Sequence, residues 1–565
     1  MCIRDSSNID IILLLGYLLL TLVVSLYISR QSINTIESYF ISKRNSSWWL
    51  LGTSMVATTL SIDTPIVVIG WIYSPGLWKN WFWWSFLFTH SLVIFYFSRY
   101  WRRIGVLTDN ELIQYRYSGL EAKFLRYFKA FYFSIFFNLI ISAWIISAFL
   151  KIFGIILGDY SIALLLLSTL IAIFYTTLSG IKGVMINDFI QYFIAFAGSI
   201  VLAIFIINSD TIGGFENYFN MARDLPDEKT SFIPQVFNLE DFMTFLAYVS
   251  IVWWTSHNAD GGGYIIQRLC TAKSEKDGVL GTIWFVLNHY VLRLVPWLFI
   301  GFSSLIIFST SKDIDPESIF PIMINNYLGS GFMGLILISL VAAYMSTIST
   351  QVNWGSSYFV NDIYKLIKSD TSEKHLVFVG RIFSIIFLIT AVALGLAIDN
   401  IGKVWIFLWS VSSGLGFFLI ARWFYWRINA WSEISAILSS IILSSIFFIL
   451  DFFDIYELSF LNKLIIIPIS ILIGFFFTFI TKPTQIDILN DFYNKVLPDG
   501  YWGIFKKDIR KNKNSNLIDS LVFSSSLVSL LFSIVSLSLG NFKSFILFFC
   551  IGITALIYII RKIIL

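Results

Sequence analysis

The stretch WWTSHNADGGGYIIQR, residues 253–268, interrupts a long apolar segment of this chain. Its Asp260 is followed directly by three glycines, and glycine costs roughly 1 kcal/mol more than alanine in a helix interior. The backbone is therefore expected to unwind here. Unpaired backbone groups at membrane depth are tolerated only where they line a cavity or are buried in protein. The stretch thus predicts a broken membrane helix whose break faces the protein interior.

A second break has the sequence MVATTLSIDTPIVVIGW, residues 55–71. Asp63 stands inside this apolar run, and Pro65 removes a backbone donor and disfavours helical geometry at the residue before it. Paired interrupted helices in corresponding positions of two halves indicate the binding site of a transporter. Carboxylates at membrane depth are usually functional. The alternative is two kinked helices whose glycines and proline serve the structure alone.

Composition restricts the class of protein. Of the 565 residues, 57% are hydrophobic and only 13% are charged, whereas soluble domains carry about 25% charged residues. This excludes a water-soluble enzyme and a disordered chain, and the long continuous apolar runs exclude a β-barrel. An all-α polytopic membrane protein remains. The net charge of +4 indicates no nucleic-acid partner, and the three cysteines form neither a disulfide framework nor a zinc pattern.

A membrane-spanning helix needs about 20 apolar residues. The sequence predicts about fifteen such helices, and Trp78, Trp81, Trp83 and Trp84 are expected to form an aromatic belt at the outer membrane edge. The predicted spans lie at approximately 9–30, 47–73, 80–100, 127–157, 160–178, 184–208, 241–270, 278–309, 329–365, 376–397, 401–424, 430–451, 459–481, 517–540 and 543–560.

Loop charge predicts the orientation, because cytoplasmic loops are rich in Lys and Arg. Basic residues cluster after odd-numbered spans, and the exits of even-numbered spans are acidic or neutral, so the N-terminus is expected outside and the C-terminus in the cytoplasm. The basic residues are Arg102, Arg103, Arg116, Lys123, Arg126, Arg268, Lys273, Lys276, Lys365, Lys368, Lys374 and seven more within 482–516. The acidic residues are Asp159, Asp313, Asp315, Glu317, Asp451 and Asp454.

Residues 340–362, LVAAYMSTISTQVNWGSSYFVND, carry a polar stripe along one helix face. Hydroxyl oxygens suit a weakly bound monovalent cation such as Na⁺, which also accepts carbonyls released by a broken helix. Close packing of small residues between membrane helices is the alternative, and composition does not decide between the two. The stripe consists of Ser346, Thr350, Asn353, Ser357 and Asn361, widened by Thr347 and Ser349.

Two further polar pairs lie inside apolar spans. Asp188 and Gln191 are one turn apart in the sixth span, where a carboxylate is either functional or paired with an Arg or Lys near the cytoplasmic edge. His289 and Arg293 share one face of the eighth span. They are expected to neutralise the acids of the two breaks, or alternatively to hold an anionic solute.

Together these residues resemble the sodium/solute symporter family, over about residues 9–450. The segments that carry the resemblance are YTTLSGIKGVMINDFIQ, GGGYIIQRLCTAKS and AAYMSTIST leading to NWGSSYFVNDIY, in the order of the family. The resemblance implies the leucine-transporter fold, with a five-plus-five inverted-repeat core and a discontinuous first helix in each repeat. The implied parts are an extra N-terminal helix at 1–46, repeats at 47–208 and 241–424, an outer loop at 209–240 and peripheral C-terminal helices at 425–565.

The resemblance also implies two sodium sites between the first broken helix and the polar stripe. A first Na⁺ would bind backbone carbonyls and hydroxyls, and a second would share Ser346 and use a carboxylate, so that one or two coupling ions are expected. By motif match, the first site is Ala57, Leu60, Ala343, Ser346 and Thr347, and the second is Asp188, Ser346, Ser349 and Thr350.

For the solute, the resemblance and the two breaks indicate the residues Asp63, Thr64, His257, Asp260, Gly262 and Tyr264. Tyr264 matches the aromatic residue that gates the cytoplasmic side in sugar carriers of the family. The two glycines before it stand where sugar carriers place polar amides, so a sugar is not singled out. Sugars, amino acids and carboxylates stay open as solute classes.

The sequence thus predicts a sodium-coupled secondary importer of a small polar organic solute, and not an enzyme. It is expected in a bacterial-type inner (plasma) membrane, with the bilayer and the solute as partners and no obligate protein partner. Proton coupling through Asp188 and Asp63 is one alternative. A membrane-embedded transferase with His289 or Asp260 as base is another, although four histidines in all offer little acid–base chemistry. A nutrient sensor on the same scaffold is the third.

Overall fold

The computed structural model describes residues 8–29, 34–309, 314–329, 331–398, 401–453, 459–505 and 515–564. Among these the chain is helical throughout, and its only β-type pairings are two isolated bridges. The all-α membrane class is confirmed. Among the loop charges used to predict the orientation, Asp313, Asp454 and those within 506–513 lie outside the described residues, as do residues 1–7. The backbone of Asp451 is helical, but its side chain is not described.

The first half of the chain contains six long helical segments, with short helices at Ile36–Ile41, Leu112–Arg116, Phe215–Arg223 and Asp227–Thr230. The long segments are α1 (Asn8–Ser29), α2 (Trp48–Thr59), α3 (Asp63–Tyr73), α4 (81–104), α5 (Gly119–Leu157) and α6 (Tyr160–Ile207).

The second half contains eleven more, with short helices at Ile319–Tyr327 and Ile486–Val496. They are α7 (239–255), α8 (Gly263–Thr271), α9 (Glu275–Ile307), α10 (Phe332–Ile367), α11 (Glu373–Gly395), α12 (Ile401–Ser412), α13 (Leu415–Phe424), α14 (Ala430–Phe452), α15 (Phe460–Ile480), α16 (Ser515–Ser538) and α17 (Phe542–Ile564).

By length and composition, ten of the described helices could cross a membrane, or twelve when each strongly bent pair counts as one span. The predicted count of about fifteen is therefore not confirmed. One reason is that α6, predicted as two spans, counts once in this number as a 48-residue helix, although a kink at Gly180 divides it between the two predicted spans. A second is that α4 and the pair α7 and α8 are not among the ten.

Both predicted breaks are confirmed. Helices α2 and α3 meet at 58°, and Leu60 between them has φ −88° and ψ 57°, outside the helical region. Between α7 and α8 the residues 256–262 are not helical, and Gly261 and Gly262 have φ of 128° and 78°. Such values are accessible to glycine at little cost, which is why the run of glycines unwinds the chain here.

The two halves of the core contain the same number of helical segments, each half beginning with a broken helix. Helix α6 is interrupted at Gly180, where φ is 55° and ψ is −161°. With α6 counted as two segments and each broken helix as one, five segments lie between residues 48 and 207 and five between 239 and 424. This agrees with the five-plus-five core implied by the resemblance.

The broken helices and the polar stripe lie in the protein interior. In the most apolar 18-residue stretch of α10, 89% is buried inside the protein, whereas the value for the corresponding stretch of α17 is 17%. The exposed side of α17 is apolar, as expected for a helix that faces lipid. The helices that carry the predicted sites therefore form the core, and α1 and α17 pack on its outside.

The predicted aromatic belt is wrong. Trp78, Trp81, Trp83 and Trp84 are between 0 and 7% exposed, so they are packed inside the protein. Their rings contact partners in the interior: Trp78 stacks on Tyr248 and Trp83 on Tyr290. A cluster of tryptophans in sequence does not distinguish the membrane interface from a packed site, because both favour amphipathic aromatic rings.

Helix α13 passes so close to the unwound strip that only glycine fits at the crossing. A Cβ at Gly416 would overlap the main-chain carbonyl groups of Thr255 and Ser256. We expect Gly416→Ala to destabilise the protein by about 1–3 kcal/mol, the usual cost of overpacking. Gly154→Ala is the matched control, because nothing lies within 4 Å of its Cβ position in α5. Thermal unfolding in detergent tests this, and equal melting temperatures for the two variants would contradict it.

Candidate functional site

A cavity of about 240 Å³ lies at the centre of the molecule, against both helix breaks. Its walls come from α2 and α3, from the unwound strip, and from α4, α5, α9, α10 and α12. Four of the six predicted solute-binding residues line it, namely Asp63, Thr64, His257 and Tyr264. A concave, mostly apolar space with a few polar groups is the usual form of a small-molecule site.

The other two predicted solute-binding residues do not line this cavity. Asp260 accepts hydrogen bonds from the Arg422 guanidinium at 2.6 Å and from the Trp423 indole at 3.0 Å. Gly262 forms the turn that leads into α8. The break therefore places His257 towards the cavity but points Asp260 at α13, which the sequence alone did not bring into contact with it.

Asp260 belongs to a buried network of charged groups. Arg422 also contacts Glu433 at 3.3 Å, and Glu433 accepts a hydrogen bond from Lys129 at 3.0 Å. Tyr117 donates to the same carboxylate at 2.6 Å. Two acids thus face two bases, and this network joins the second helix break to α5, α13 and α14. Buried ion pairs are costly unless fully compensated, and here each charge has an opposite partner.

The predicted first cation site is assembled where α2 ends against α10. The Thr347 hydroxyl donates to the main-chain oxygen of Thr58 at 3.0 Å. A second contact between α2 and α10 lies one turn further along α10, where the hydroxyls of Thr58 and Thr350 are 3.0 Å apart. Because a helix end leaves its last carbonyls without intrahelical partners, the break supplies oxygens at this point. The predicted residues here are all buried: Ala57, Leu60, Ala343, Ser346 and Thr347.

Arg293 closes the same end of α2. Its guanidinium donates to the Thr59 main-chain oxygen at 2.5 Å and to the His289 main-chain oxygen at 3.1 Å. The Thr59 hydroxyl lies 2.9 Å from Nδ1 of His289. A cation at the C-terminus of a helix is favourable, because unpaired carbonyls concentrate negative charge there. His289 and Arg293 thus have a structural role, but they contact Thr59 at the end of α2 and not the acidic residues of the two breaks.

The predicted second cation site is also brought together, around Asp188. Its carboxylate accepts hydrogen bonds from the hydroxyls of Ser54 at 2.5 Å and Ser346 at 2.7 Å. Thr350 lies one turn beyond Ser346 on α10. The Ser349 hydroxyl instead donates to the Ser346 main-chain oxygen at 3.0 Å. Ser54 on α2 was not predicted, because a single serine in an apolar helix has no distinctive signal.

An arginine side chain occupies this second group of oxygens. Arg268 donates to the Thr350 hydroxyl at 2.6 Å and to Ser54 at 3.1 Å, and its guanidinium lies 3.5 Å from Asp188. Arg268 is fully buried, so its assignment to a cytoplasmic loop was wrong. The sequence left open whether Asp188 is a functional carboxylate or is paired with a basic residue, and in the structure it is paired with Arg268.

Several cavity residues were not predicted from the sequence. Trp83, Trp144, Trp405, Tyr290 and Gln351 line the cavity. Trp144 and Trp405 stand in apolar helices, where aromatic residues commonly serve packing alone, and Trp83 was predicted for the membrane edge, so the local sequence does not mark them as cavity residues. Only their position next to the two breaks in space reveals them.

Comparison with known proteins identifies this architecture. The model of the "Sodium:solute symporter family" matches residues 39–426. A sodium/glucose cotransporter of Vibrio parahaemolyticus is 25% identical over 425 residues, covering 70% of this chain and 76% of that protein. The sodium/sialic acid symporter SiaT of Proteus mirabilis is 24% identical over 427 residues, covering 72% and 82%. The family match thus includes both helix breaks and the polar stripe.

A solved structure has the same fold. The substrate-bound, outward-open state of a Na⁺-coupled sialic acid symporter superposes with a TM-score of 0.66 at 22% identity, covering 85% of this chain and all of that one. The family consists of transporters, which excludes the transferase alternative. The chain belongs to the sodium:solute symporter family, and it is a sodium-coupled solute transporter of the multi-span membrane type.

Proposed function

We propose that this protein imports a small polar organic solute by binding it in the central cavity together with Na⁺ at the end of α2. The observation that carries the proposal is the position of Thr347. Its hydroxyl contacts the broken helix at Thr58, and the same residue lines the cavity. An ion held there and a solute in the cavity would share one wall, so that each favours the arrangement that binds the other.

The proposed transport cycle uses the two helix breaks. Na⁺ would bind the oxygens of Ala57, Leu60, Ala343, Ser346 and Thr347 and tie α2 to α10. The ion pair of Asp260 and Arg422 would hold α13 against the unwound strip, and rocking of the helix bundle would separate them. On the predicted orientation the C-terminus of α13 faces the cytoplasm, in a plasma-type membrane with the N-terminus outside.

We propose a stoichiometry of one sodium ion. Arg268 already donates to Thr350 and lies against Asp188, and a second Na⁺ there would meet a buried guanidinium within a few ångströms. Like charges repel strongly in so confined a site. One ion suffices as a driving force, because each charge that crosses 100 mV supplies roughly 2.3 kcal/mol, about fifty-fold accumulation of solute.

Removing this internal cation is expected to create a second ion site. In Arg268→Gln, Asp188 keeps its serine donors but loses its only basic partner among the described residues. A buried carboxylate needs a compensating charge, so the number of bound ions should rise from one to two. Equilibrium dialysis of ²²Na⁺ with purified protein measures this number.

The control for this count is Arg103→Gln, which removes a half-exposed arginine paired with Glu275 at 3.0 Å. It should leave one bound ion per chain, because Arg103 lies outside the cavity. Two ions bound by the unmodified protein would contradict the proposed stoichiometry. So would an unchanged count in Arg268→Gln when its melting temperature shows a folded protein.

The transport activity itself is tested in vesicles. Protein reconstituted into liposomes is exposed to a metabolite mixture under an inward Na⁺ gradient or a K⁺ gradient of equal size, and the contents are compared by mass spectrometry. A solute that accumulates only with Na⁺, and not in vesicles containing Thr347→Val, supports the proposal. No sodium-dependent accumulation of any solute would count against it.

A further inference from the structure

Among the described residues, Asp63 is the one acidic side chain on the cavity wall. It is 2% exposed, and its Oδ1 accepts no hydrogen bond from any described residue. Three neutral donors of the cavity wall, Ser61 Oγ, Trp144 Nε1 and Trp405 Nε1, face this carboxylate, but none of them completes a hydrogen bond among the described residues. Neutral donors compensate a buried charge only in part, so a group that belongs to the ligand is expected to complete this site.

The local backbone offsets part of the cost of burying a charge at Asp63. The residue lies in the first turn of α3, where the unpaired N–H groups of a helix N-terminus stabilise negative charge. The break thus points a helix N-terminus and a carboxylate into the same cavity. A cationic ligand would supply the rest of the compensation and hold Asp63 in its charged form.

The positive charge on the cavity wall is already used. In the part of the chain that the structure describes, Arg293 is the only Lys or Arg that lines the cavity. Its nitrogens donate to Thr59 and His289, and its guanidinium lies over the rings of Trp83 and Trp297 at 5.8 and 5.1 Å. An anionic solute would have to displace these contacts. Of the two charges, only that of Asp63 is available to a solute.

Aromatic rings form most of the apolar part of the remaining wall, and among the described residues eleven hydroxyl, amide and imidazole side chains also line it. Ten Phe, Trp and Tyr residues line the cavity, and next to Asp63 the rings of Trp144 and Trp405 lie 6.1 Å apart at 50°. Aromatic faces attract cations, most strongly where water is excluded. The ten are Phe82, Trp83, Phe86, Phe137, Trp144, Tyr264, Phe285, Tyr290, Trp405 and Trp409.

We propose that the solute carries an amino or ammonium group, which binds Asp63 within this aromatic wall. The inference rests on the proposed transport function and specifies its substrate class as an organic cation, or a zwitterion bound through its cationic end. A polyol fits the site less well, because its neutral hydroxyls would leave the buried charge of Asp63 without an opposite charge. Asp63 follows Leu60 of the sodium site by three residues, so the cation and Na⁺ would both order the break.

Two pairs of probes test the charge requirement. Choline is compared with its uncharged carbon isostere 3,3-dimethylbutan-1-ol, and cyclohexylamine with cyclohexanol. Choline is a quaternary ammonium ion with a permanent charge, and cyclohexylamine is protonated at neutral pH. Binding to purified protein in Na⁺ is followed by tryptophan fluorescence and by melting temperature. We expect at least one cation to bind about tenfold more tightly than its neutral partner, and Asp63→Asn to abolish that difference.

The control is Asp227→Asn, an exposed carboxylate in the 209–240 segment, which should bind like the unmodified protein. Retention of a sodium-specific rise in melting temperature shows that Asp63→Asn is folded. If neither cation is preferred over its isostere up to about 100 mM, or if Asp63→Asn keeps the preference, the inference is overturned. Loss of the sodium effect in the unmodified protein would instead overturn the proposed function.

Discussion

Arg422→Met is expected to lower the stability of the protein by about 3–5 kcal/mol, the usual cost of removing one partner from a buried ion pair. The substitution leaves Asp260 without its guanidinium partner at 2.6 Å and weakens the compensation of Glu433. Methionine fills much of the same volume, so packing contributes little to the loss. The measurement is the melting temperature of detergent-purified protein in Na⁺, which should fall by several degrees.

A second substitution separates charge from packing. Adding Asp260→Asn to Arg422→Met removes one unpaired carboxylate, so the double variant should regain part of the lost stability. Arg103→Met is the matched control, because its ion pair with Glu275 is partly exposed and such pairs contribute about 0–1 kcal/mol. Equal effects at Arg422 and Arg103 would contradict a structural role for the network.

Thr347→Val should weaken sodium binding about tenfold, which corresponds to 1.4 kcal/mol. Valine keeps the shape of threonine but removes the hydroxyl that contacts Thr58 at the end of α2. The ion would lose one oxygen ligand, and the break would lose one of its two contacts with α10 at Thr58. Dialysis of ²²Na⁺ at a series of concentrations gives the dissociation constant. Ser346→Ala, at the neighbouring predicted ligand, should weaken binding to a similar extent.

Thr169→Val provides the control for this measurement. Its hydroxyl lies 2.6 Å from the Tyr344 hydroxyl, so the substitution also removes a buried hydrogen bond to α10, but outside the predicted ion site. Its sodium affinity should equal that of the unmodified protein. Unchanged affinity in Thr347→Val, or an equal loss in both variants, would contradict the assignment of the ion site.

The sequence predicted those features of the fold that depend on local chemistry. Glycine and proline act on their own backbone, so the breaks before Asp63 and after Asp260 were located correctly. The helical membrane class followed from composition and from the long apolar runs, which are also read directly from the sequence. The span count of about fifteen was not confirmed, because α4 and the pair α7 and α8 are not among the helices that are long and apolar enough to cross a membrane. The interruption of Tyr160–Ile207 at Gly180 lies between the two spans predicted there.

Features that depend on distant residues could not be predicted. The partner of Asp260 is Arg422 on α13, 162 positions later, and no local pattern connects the two. Arg268 was counted as a loop charge because it follows an apolar segment, yet the break turns α8 so that its guanidinium reaches Asp188. The aromatic wall around Asp63 is likewise drawn from helices far apart in the chain.

The central claim is that a sodium ion binds where α2 ends against α10. The most direct test is the melting temperature of purified protein in Na⁺ and in K⁺ at equal ionic strength, for the unmodified protein and for Thr347→Val. A ligand at tenfold excess over its dissociation constant stabilises by about 1.4 kcal/mol. The account predicts a sodium-specific rise that Thr347→Val loses. Equal melting temperatures in the two salts at saturating concentration would contradict it.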